Sequence, residues 1–162
     1  MALAKLTALH AHLDASKLVA SEKLDSWAED ARLIPSQQNR GNGLLIGEFE
    51  YQAIFVIEGF TGAAELLMAQ VCAWLVGFDA VRDDQQLEPP SIDIDMVDEK
   101  TADVEMKISF REDIEITEDD DGPITLHGKT YSVANLISDV VDTVGVGNDQ
   151  AAPTDQPYTR ED

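Results

Sequence analysis

Residues 48–58 read Glu-Phe-Glu-Tyr-Gln-Ala-Ile-Phe-Val-Ile-Glu, and this stretch decides the fold class. Successive side chains of a β-strand point to opposite faces of a sheet. One face is apolar here and the other is polar: Phe49, Tyr51, Ala53, Phe55 and Ile57 against Glu48, Glu50, Gln52 and Glu58. The alternation therefore predicts a half-buried strand.

A turn and an apolar helix follow this strand. Gly59-Phe60-Thr61-Gly62 predicts the turn, and Thr61 is placed to cap a helix over residues 63–77. Apolar side chains surround most of that helix: Leu66, Leu67, Val71, Trp74 and Leu75. Such a helix is expected to be buried on more than one side. Cys72, which lies on it, is accordingly predicted to be a core thiol.

Two further alternating stretches lie downstream, at residues 91–97 and 103–110. Each predicts a strand, and the short polar segment between them predicts that the two strands pair as a hairpin. Ile114 and Ile116 are expected to extend the second strand past a bend. Residues 124–126 predict one more short strand.

The beginning of the chain is predicted to be helical and then irregular. Leucines at helical spacing predict an amphipathic helix over residues 2–15. Residues 21–32 predict a second, short helix, with Ser21 as its N-cap and Pro35 beyond its end. Residues 36–47 are polar and rich in glycine, which predicts a mobile loop.

The end of the chain combines a helical pattern with a polar tail. Apolar residues at helical spacing lie between Ser132 as cap and Gly145 as stop: Val133, Leu136, Ile137, Val140, Val141 and Val144. Residues 147–162 have almost no aliphatic side chains, which is typical of disorder. We expect one two-layer α+β domain over residues 1–146, a mainly antiparallel sheet with helices packed on it, and a disordered acidic C-terminal tail over residues 147–162.

The charge of the chain excludes some function classes. Its 162 residues include 32 Asp and Glu against 11 Lys and Arg, a formal charge of −21. Residues 1–80 hold 10 acidic and 5 basic side chains, whereas residues 81–162 hold 22 and 6. Affinity for nucleic acids comes mainly from Lys and Arg, so specific nucleic-acid binding is disfavoured, as is binding to an anionic membrane.

Few features of the sequence indicate a cellular compartment. The single cysteine excludes an intramolecular disulfide. The first residues lack the basic segment and apolar core of a secretory signal, and the apolar run over residues 66–78 is too short to span a bilayer. The sequence predicts a soluble, cytosolic, acidic protein.

Two patterns resemble metal sites only superficially. His10 and His12 point about 200° apart on a helix, so they do not readily share one ion. The acidic run over residues 118–123 resembles a calcium loop, but aligning its glycine leaves Thr117 and Gly128 where carboxylates are needed. We expect a solvated loop there, with His127 as a solvent-facing turn residue.

Pairing of the two downstream strands brings Asp93, Asp95, Asp103 and Glu105 onto one sheet face. Paired carboxylates serve glycosidases, but an exposed acidic face with Lys107 and Lys100 as local counter-charges is the simpler interpretation. The sequence has no phosphate-binding loop, no nucleophile elbow and no zinc-ligand spacing. We therefore expect no catalytic, cofactor-binding or metal-binding residues, no cofactor, and no enzyme activity.

The order of landmarks along the chain resembles a known family. Leu24-Asp25-Ser26-Trp27-Ala28-Glu29 precedes the strand Phe49-Glu50-Tyr51-Gln52-Ala53, and Phe60-Thr61-Gly62, Leu66-Leu67-Met68 and Ala73-Trp74-Leu75 follow it. Ile92-Asp93-Ile94-Asp95-Met96, Thr101-Ala102-Asp103-Val104-Glu105-Met106 and Phe110-Arg111-Glu112 come last. Over residues 3–116 this order resembles the tail completion protein R (GpR) family of contractile-tailed temperate phages. Residues 117–162 differ from the usual ending of that family.

The resemblance implies a structural, tail terminator-like protein. Such a protein caps the head-proximal end of the tail tube as a ring, stops tube growth and forms the tail-to-head joint. The resemblance also implies a homo-oligomeric ring, expected to be a hexamer, that contacts tail tube and sheath proteins and head–tail connector proteins. The protein is expected in the host cytoplasm during assembly and then at the head-proximal end of the virion tail.

Two other classes remain open from the residues alone. An acidic DNA-mimic or adaptor protein that binds a basic partner would also be small and strongly negative. A hydrolase would use the acidic sheet face. If the protein forms a ring, its carboxylates are expected to line a passage that repels DNA.

Overall fold

Two α-helices and six β-strands make up residues 3–134, the part of the chain that the computed structural model describes. In chain order they are α1 (Ala4–Ala15), β1 (Leu24–Asn39), β2 (Leu44–Phe60), α2 (Ala64–Phe78), β3 (Ser91–Met96), β4 (Ala102–Glu118), β5 (Ile124–Leu126) and β6 (Lys129–Val133). Short 3-10 helices lie at Ser21–Lys23 and Ala80–Arg82. The predicted α+β class is confirmed.

The six strands form one sheet in the order β1-β2-β4-β6-β5, and β3 also pairs with β4. The pairs β3–β4, β4–β6 and β5–β6 are antiparallel. The long strand β4 pairs with β3 over residues 102–107 and with β6 over residues 116–118. The predicted hairpin is therefore confirmed, as are the extension of its second strand through Ile116 and the short strand β5.

The chain divides by its internal contacts into two compact units. The first comprises Met1–Ile34 and Glu48–Asp113, and the second comprises Pro35–Gly47 and Ile114–Asp162. Both helices and β3 belong to the first unit, whereas β5 and β6 belong to the second.

The hydrophobic core of the first unit joins both helices to one face of the sheet. The apolar face predicted in residues 48–58 is confirmed: Tyr51, Ala53, Phe55 and Ile57 are buried, and Phe49 packs against them. Ile54 on the opposite face is buried as well, so that face is not wholly exposed. β4 contributes Val104, Met106, Ile108 and Phe110 to the same core, and α1 contributes Leu6, Leu9 and Leu13. Each fully buried side chain of this kind stabilises the fold by about 1.5–3 kcal/mol.

The predicted helix over residues 21–32 is wrong. Only a single 3-10 turn forms at Ser21–Lys23, and β1 then runs from Leu24 to Asn39. Leu24, Ser26 and Ala28 are the less exposed residues at its start, so the true period is two. Because β1 ends the strand order, the missing N–H of Pro35 is tolerated within it.

The predicted mobile loop over residues 36–47 is also wrong, because most of it belongs to a β-hairpin. β1 and β2 are joined by a short turn in which the N–H of Arg40 donates to the carbonyl of Gly43 at 2.8 Å. Gly41 has a φ of 83°, a left-handed conformation that glycine adopts without strain. The glycines that suggested mobility instead form the tight turn.

The helix predicted over residues 63–77 is confirmed as α2. Two details of that prediction are wrong: the cap by Thr61 and the burial on more than one side. Ala63 precedes the helix without a side-chain cap, so Thr61 does not cap it. Only one face of α2 is buried, formed by Leu67, Val71, Trp74 and Leu75. Cys72 is exposed, and the prediction of a core thiol is therefore wrong. Apolar composition around a helix does not ensure that a neighbour covers every side.

Part of the predicted final helix is a strand instead. Ser132 and Val133, expected as its cap and first residue, belong to β6, which pairs with both β4 and β5. The remainder of that helix after residue 134 and the tail over residues 147–162 lie outside the described residues. The division into 1–146 and 147–162 stays a prediction.

Candidate functional site

The carboxylates predicted to crowd one sheet face do lie opposite each other. In the β3–β4 register, Asp93 is opposite Glu105 and Asp95 is opposite Asp103. Asp93, Asp95 and Asp103 are exposed and Glu105 is half-buried. One oxygen of Asp103 accepts a hydrogen bond from the N–H of Gly59 at 3.0 Å. The arrangement is an acidic surface rather than an enclosed pair of carboxylates.

The two neighbouring histidines bind different partners. His10 Nδ1 lies 2.7 Å from Ser26 Oγ, and His12 Nε2 lies 3.1 Å from Gln70 Oε1. Among residues 3–134 no group of three or more His, Cys, Asp or Glu side chains is arranged to hold a metal ion. His127 is exposed, as predicted, with a φ of 50° in the turn between β5 and β6.

The acidic loop after β4 is a tight turn in which Asp119 is already engaged. Its side-chain oxygen accepts the N–H of Asp121 at 3.0 Å, and its carbonyl accepts the N–H of Gly122 at 2.9 Å. A Cβ at Gly122 would lie 2.1 Å from the carbonyl oxygen of Tyr131, so only glycine fits there. The hydrogen bonds of Asp119 therefore close the turn of the backbone.

Exposed apolar residues cluster at both ends of α2. At its carboxyl end, Val76 and Phe78 are 76% and 75% exposed, and Val81 of the following 3-10 helix is 51% exposed. Val76 and Phe78 are two residues apart on the helix, so their side chains point about 200° from each other. At its amino end lies a groove of about 490 Å³ that we call the apolar groove, lined chiefly by Phe60, Ala64, Ile94, Met96 and Ala102. The sequence prediction missed both patches because it assigned α2 to the core.

A buried ion network holds the carboxyl end of α2. Asp79 is 1% exposed, and its two oxygens lie 2.7 Å from Lys5 Nζ and 2.8 Å from Arg82 Nη1. The N–H of Asp79 donates to the carbonyl of Leu75 at 2.9 Å and closes the last turn of the helix. Two cations therefore compensate one buried carboxylate. Without such partners, a buried carboxylate would strongly destabilise the fold.

A second buried carboxylate caps α1 from a distant strand. Glu112 accepts the backbone N–H groups of Ala4 at 3.1 Å and Lys5 at 2.9 Å. Tyr51 donates its hydroxyl to the same carboxylate and accepts the N–H of Leu6. Burial and the neighbouring Glu112 raise the pKa of Tyr51 well above its ordinary value of 10.0. The helix begins without a side-chain cap of its own, so Glu112 replaces one.

Three charged side chains, Glu50, Arg111 and Arg32, form a trio on the outer side of β2. Arg32 is exposed, whereas Glu50 and Arg111 are partly buried. Glu50 accepts hydrogen bonds from Arg111 at 2.8 Å and from Arg32 at 2.9 Å. The hydrogen bond from Arg111 is the largest cause of a lowered pKa for Glu50, which partial burial opposes and Arg32 reinforces. The trio ties β1, β2 and β4 together within the first unit.

These features define a class of protein: a small α+β protein with exposed apolar residues at both ends of α2 and an acidic sheet surface. No helix within residues 3–134 has the length and apolar character needed to cross a membrane. The profile of the P2 phage tail completion protein R (GpR) family matches residues 3–135, and the chain belongs to this family. It is therefore a structural protein of the phage tail.

Two further findings accompany this assignment: a curated relative from another phage and the extent of the family match. The chain is 29% identical over 115 residues to an uncharacterized 19.2 kDa protein in the rep-hol intergenic region of Haemophilus phage HP1, covering 68% of this chain and 69% of the relative. No solved structure matches the chain significantly. The resemblance predicted from the sequence is confirmed, and the match continues through β5 and β6 to residue 135 instead of ending near residue 116.

Proposed function

We propose that this chain completes the tail by forming a homo-oligomeric ring on the head-proximal end of the tail tube. The ring stops tube growth and presents a surface to which the head joins. Its neighbours would be the tail tube and sheath proteins on one side and head–tail connector proteins on the other. The family match over residues 3–135 is the observation that carries this proposal.

The acidic surface supports a role for the ring as a passage. DNA that crosses the tail-to-head joint must not adhere to it, and carboxylates repel phosphates. The facing pairs Asp93–Glu105 and Asp95–Asp103 supply such a surface in the first unit. We place these carboxylates toward the lumen. A ring structure with residues 91–121 on its outer wall would refute this orientation.

Tail completion can be tested with purified components. The chain is mixed with tail tubes and imaged by negative-stain electron microscopy, with a label on the chain. We expect density at one end of the tube only, tubes of uniform length, and heads that join only when the chain is present. Label distributed along the tube, or heads that join equally well without the chain, would contradict the proposal.

An acidic DNA-mimic is the second candidate, and the facing carboxylates of β3 and β4 are the observation that favours it. Such a protein would bind a basic DNA-binding protein tightly, would lose that affinity as salt is raised, and would stay a monomer or dimer. Replacing Asp93, Asp95 and Asp103 by asparagine would then abolish binding. The same variant should leave tube-end binding intact if the chain is a tail completion protein.

A further inference from the structure

The outer edge of β3 has no neighbouring strand. In the described part of the chain β3 pairs with β4 alone. Where the two strands meet, the N–H of Val97 donates to the carbonyl of Thr101 at 3.0 Å, so these facing residues form a hydrogen-bonded pair. In an antiparallel ladder such pairs alternate with pairs whose backbone groups point away from each other. The N–H and C=O groups of Ile92, Ile94 and Met96 therefore point away from β4.

The same side of β4 continues beyond β3, and there the chain supplies its own hydrogen-bond partners. The carbonyl of Ser109 accepts a hydrogen bond from Arg82 Nη1 at 3.1 Å, and the carbonyl of Arg111 accepts one from Lys5 Nζ at 2.8 Å. The outward backbone groups of β3 have no such cover, because no hydrogen bond within residues 3–134 involves them. The edge of β3 is thus a row of free backbone donors and acceptors.

The side chains of β3 alternate between an acidic face and an apolar face. Asp93 and Asp95 are exposed on one face, beside the carboxylates of β4. Ile94 and Met96 line the apolar groove on the other face, where they are 41% and 60% exposed. A strand added next to β3 would alternate in the same way, since its side chains project to the same two faces.

We propose that the outer edge of β3 binds an extended segment of another protein as a further strand, with basic side chains beside Asp93 and Asp95 and apolar side chains over the apolar groove. Strand addition draws affinity from main-chain hydrogen bonds and specificity from alternate side chains. The partner differs from the tail tube, because substitution of these aspartates should leave tube-end binding intact. Asp103 and Glu105 lie one strand further from the edge, so the sheet face stays acidic. The inference goes beyond tail completion and does not require a ring.

Charge complementarity favours a basic partner over a second copy. Neither Asp93 nor Asp95 forms an ion pair within the described part of the chain, and Lys107 is engaged with Glu105 at 3.8 Å. Antiparallel pairing of two β3 edges would put the acidic faces of both copies side by side, and like charges on neighbouring strands are destabilising. The chain's own residues 135–162 contain six acidic side chains and one basic side chain, so the edge repels them as well.

A synthetic peptide of sequence Lys-Val-Lys-Val-Lys-Val tests the edge, since its length matches the six residues of β3. Two peptides serve as controls. The same sequence with every backbone amide N-methylated keeps its charge but donates no hydrogen bond to a ladder, and Glu-Val-Glu-Val-Glu-Val has the wrong charge. Binding to the full chain is measured by isothermal titration calorimetry at about 0.15 M salt, where charges are screened beyond about 8 Å. We expect only the unmodified basic peptide to bind.

Variants of the chain separate backbone pairing from charge. Ile94→Pro removes one outward N–H and leaves the bonds to β4 in place, and it should weaken peptide binding by about tenfold or more. Asp93→Asn combined with Asp95→Asn should weaken it by about threefold to thirtyfold. Asp83→Asn combined with Asp84→Asn is the matched control for net charge, because both residues are exposed and lie outside β3. This control should bind the peptide as the wild type does.

Amide hydrogen exchange followed by NMR locates the bound peptide. In the free chain the amides of Ile92, Ile94 and Met96 should exchange fast, whereas those of Asp93 and Asp95, which face β4, should exchange slowly. The peptide should slow the first group. Slow exchange at Ile94 in the free chain would show that a second copy or the chain's own carboxyl end already occupies the edge, and it would overturn the inference.

Other results also overturn the inference. A wild-type chain that does not bind the peptide, equal binding of the N-methylated peptide, or unchanged binding by Ile94→Pro would each exclude strand addition. An acidic DNA-mimic, which needs its carboxylates alone, would give the last of these results. Equal weakening in the Asp83 and Asp84 control would reduce the contact to general charge attraction. Circular dichroism and urea unfolding verify each variant, and Met96→Pro, which removes the next outward N–H, replaces Ile94→Pro should that variant not fold.

Discussion

The carboxylate of Glu112 accepts a hydrogen bond from the backbone N–H of Lys5 at 2.9 Å, although 107 residues separate them in sequence. A residue of β4 thereby caps the amino end of α1, which has no capping side chain of its own. The first four N–H groups of a helix have no partner within it, so an outside acceptor is required when they are not hydrated. The position of α1 consequently depends on β4.

Replacing Glu112 by alanine should destabilise the protein by about 3 kcal/mol, since two backbone N–H groups and the Tyr51 hydroxyl lose an acceptor. Urea unfolding followed by circular dichroism measures the change. Tyr51→Phe removes only one of these donors and should cost about 1 kcal/mol. A free energy of unfolding for Glu112→Ala equal to that of the wild type would disprove the cap.

Asp79→Ala should cost about 3 kcal/mol, because Lys5 and Arg82 keep their charges and lose the buried carboxylate between them. Glu115→Ala provides the comparison, since its pair with Arg40 is more than a third exposed on both sides and should change stability by less than about 1 kcal/mol. Both are measured by urea unfolding. Equal losses for the two variants would show that the Asp79 network does not stabilise the fold.

Alternation along the chain was sufficient to predict β2, β3 and β4, because apolar and polar side chains follow a period of two in each. In β2 and β4 the apolar face lies in the core, whereas in β3 only Ile92 packs against the core. β1 was missed for the opposite reason. Most of its side chains are exposed, and Leu24, Trp27 and Ala28 fit a helical spacing as well. An edge strand has little burial pattern from which to predict it.

The Glu112 cap of α1 leaves one signal in the sequence. Val104, Met106, Ile108 and Phe110 alternate toward the core, and Glu112 stands at the next position of that series. A charged residue in an apolar series predicts a buried partner, but its identity depends on contacts more than 100 residues away. The exposed patches of α2 had no comparable signal, because sequence does not show which side of an apolar helix is uncovered.

Acid should weaken the fold partly through Glu50. Its pKa is lower in the folded state than the ordinary value of 4.5, so the folded chain binds fewer protons there than the unfolded chain. The stabilisation is fully present above 4.5 and is lost as the pH falls through the lowered folded value. Urea unfolding across this window should show a shallower pH dependence for Glu50→Gln. Arg111→Ala should flatten it more than Arg32→Ala, and the reverse order would contradict the assigned cause.

Two glycines should respond oppositely to alanine. At Gly122 an added Cβ would lie 2.1 Å from the carbonyl oxygen of Tyr131, so Gly122→Ala must open the turn between β4 and β5. At Gly77 the Cβ meets nothing within 4 Å, and alanine in a helix is favoured over glycine by up to about 1 kcal/mol. We expect Gly122→Ala to speed amide hydrogen exchange in β5 and β6, and Gly77→Ala to match or exceed wild-type stability. Unchanged exchange in Gly122→Ala would show that the turn relaxes without loss.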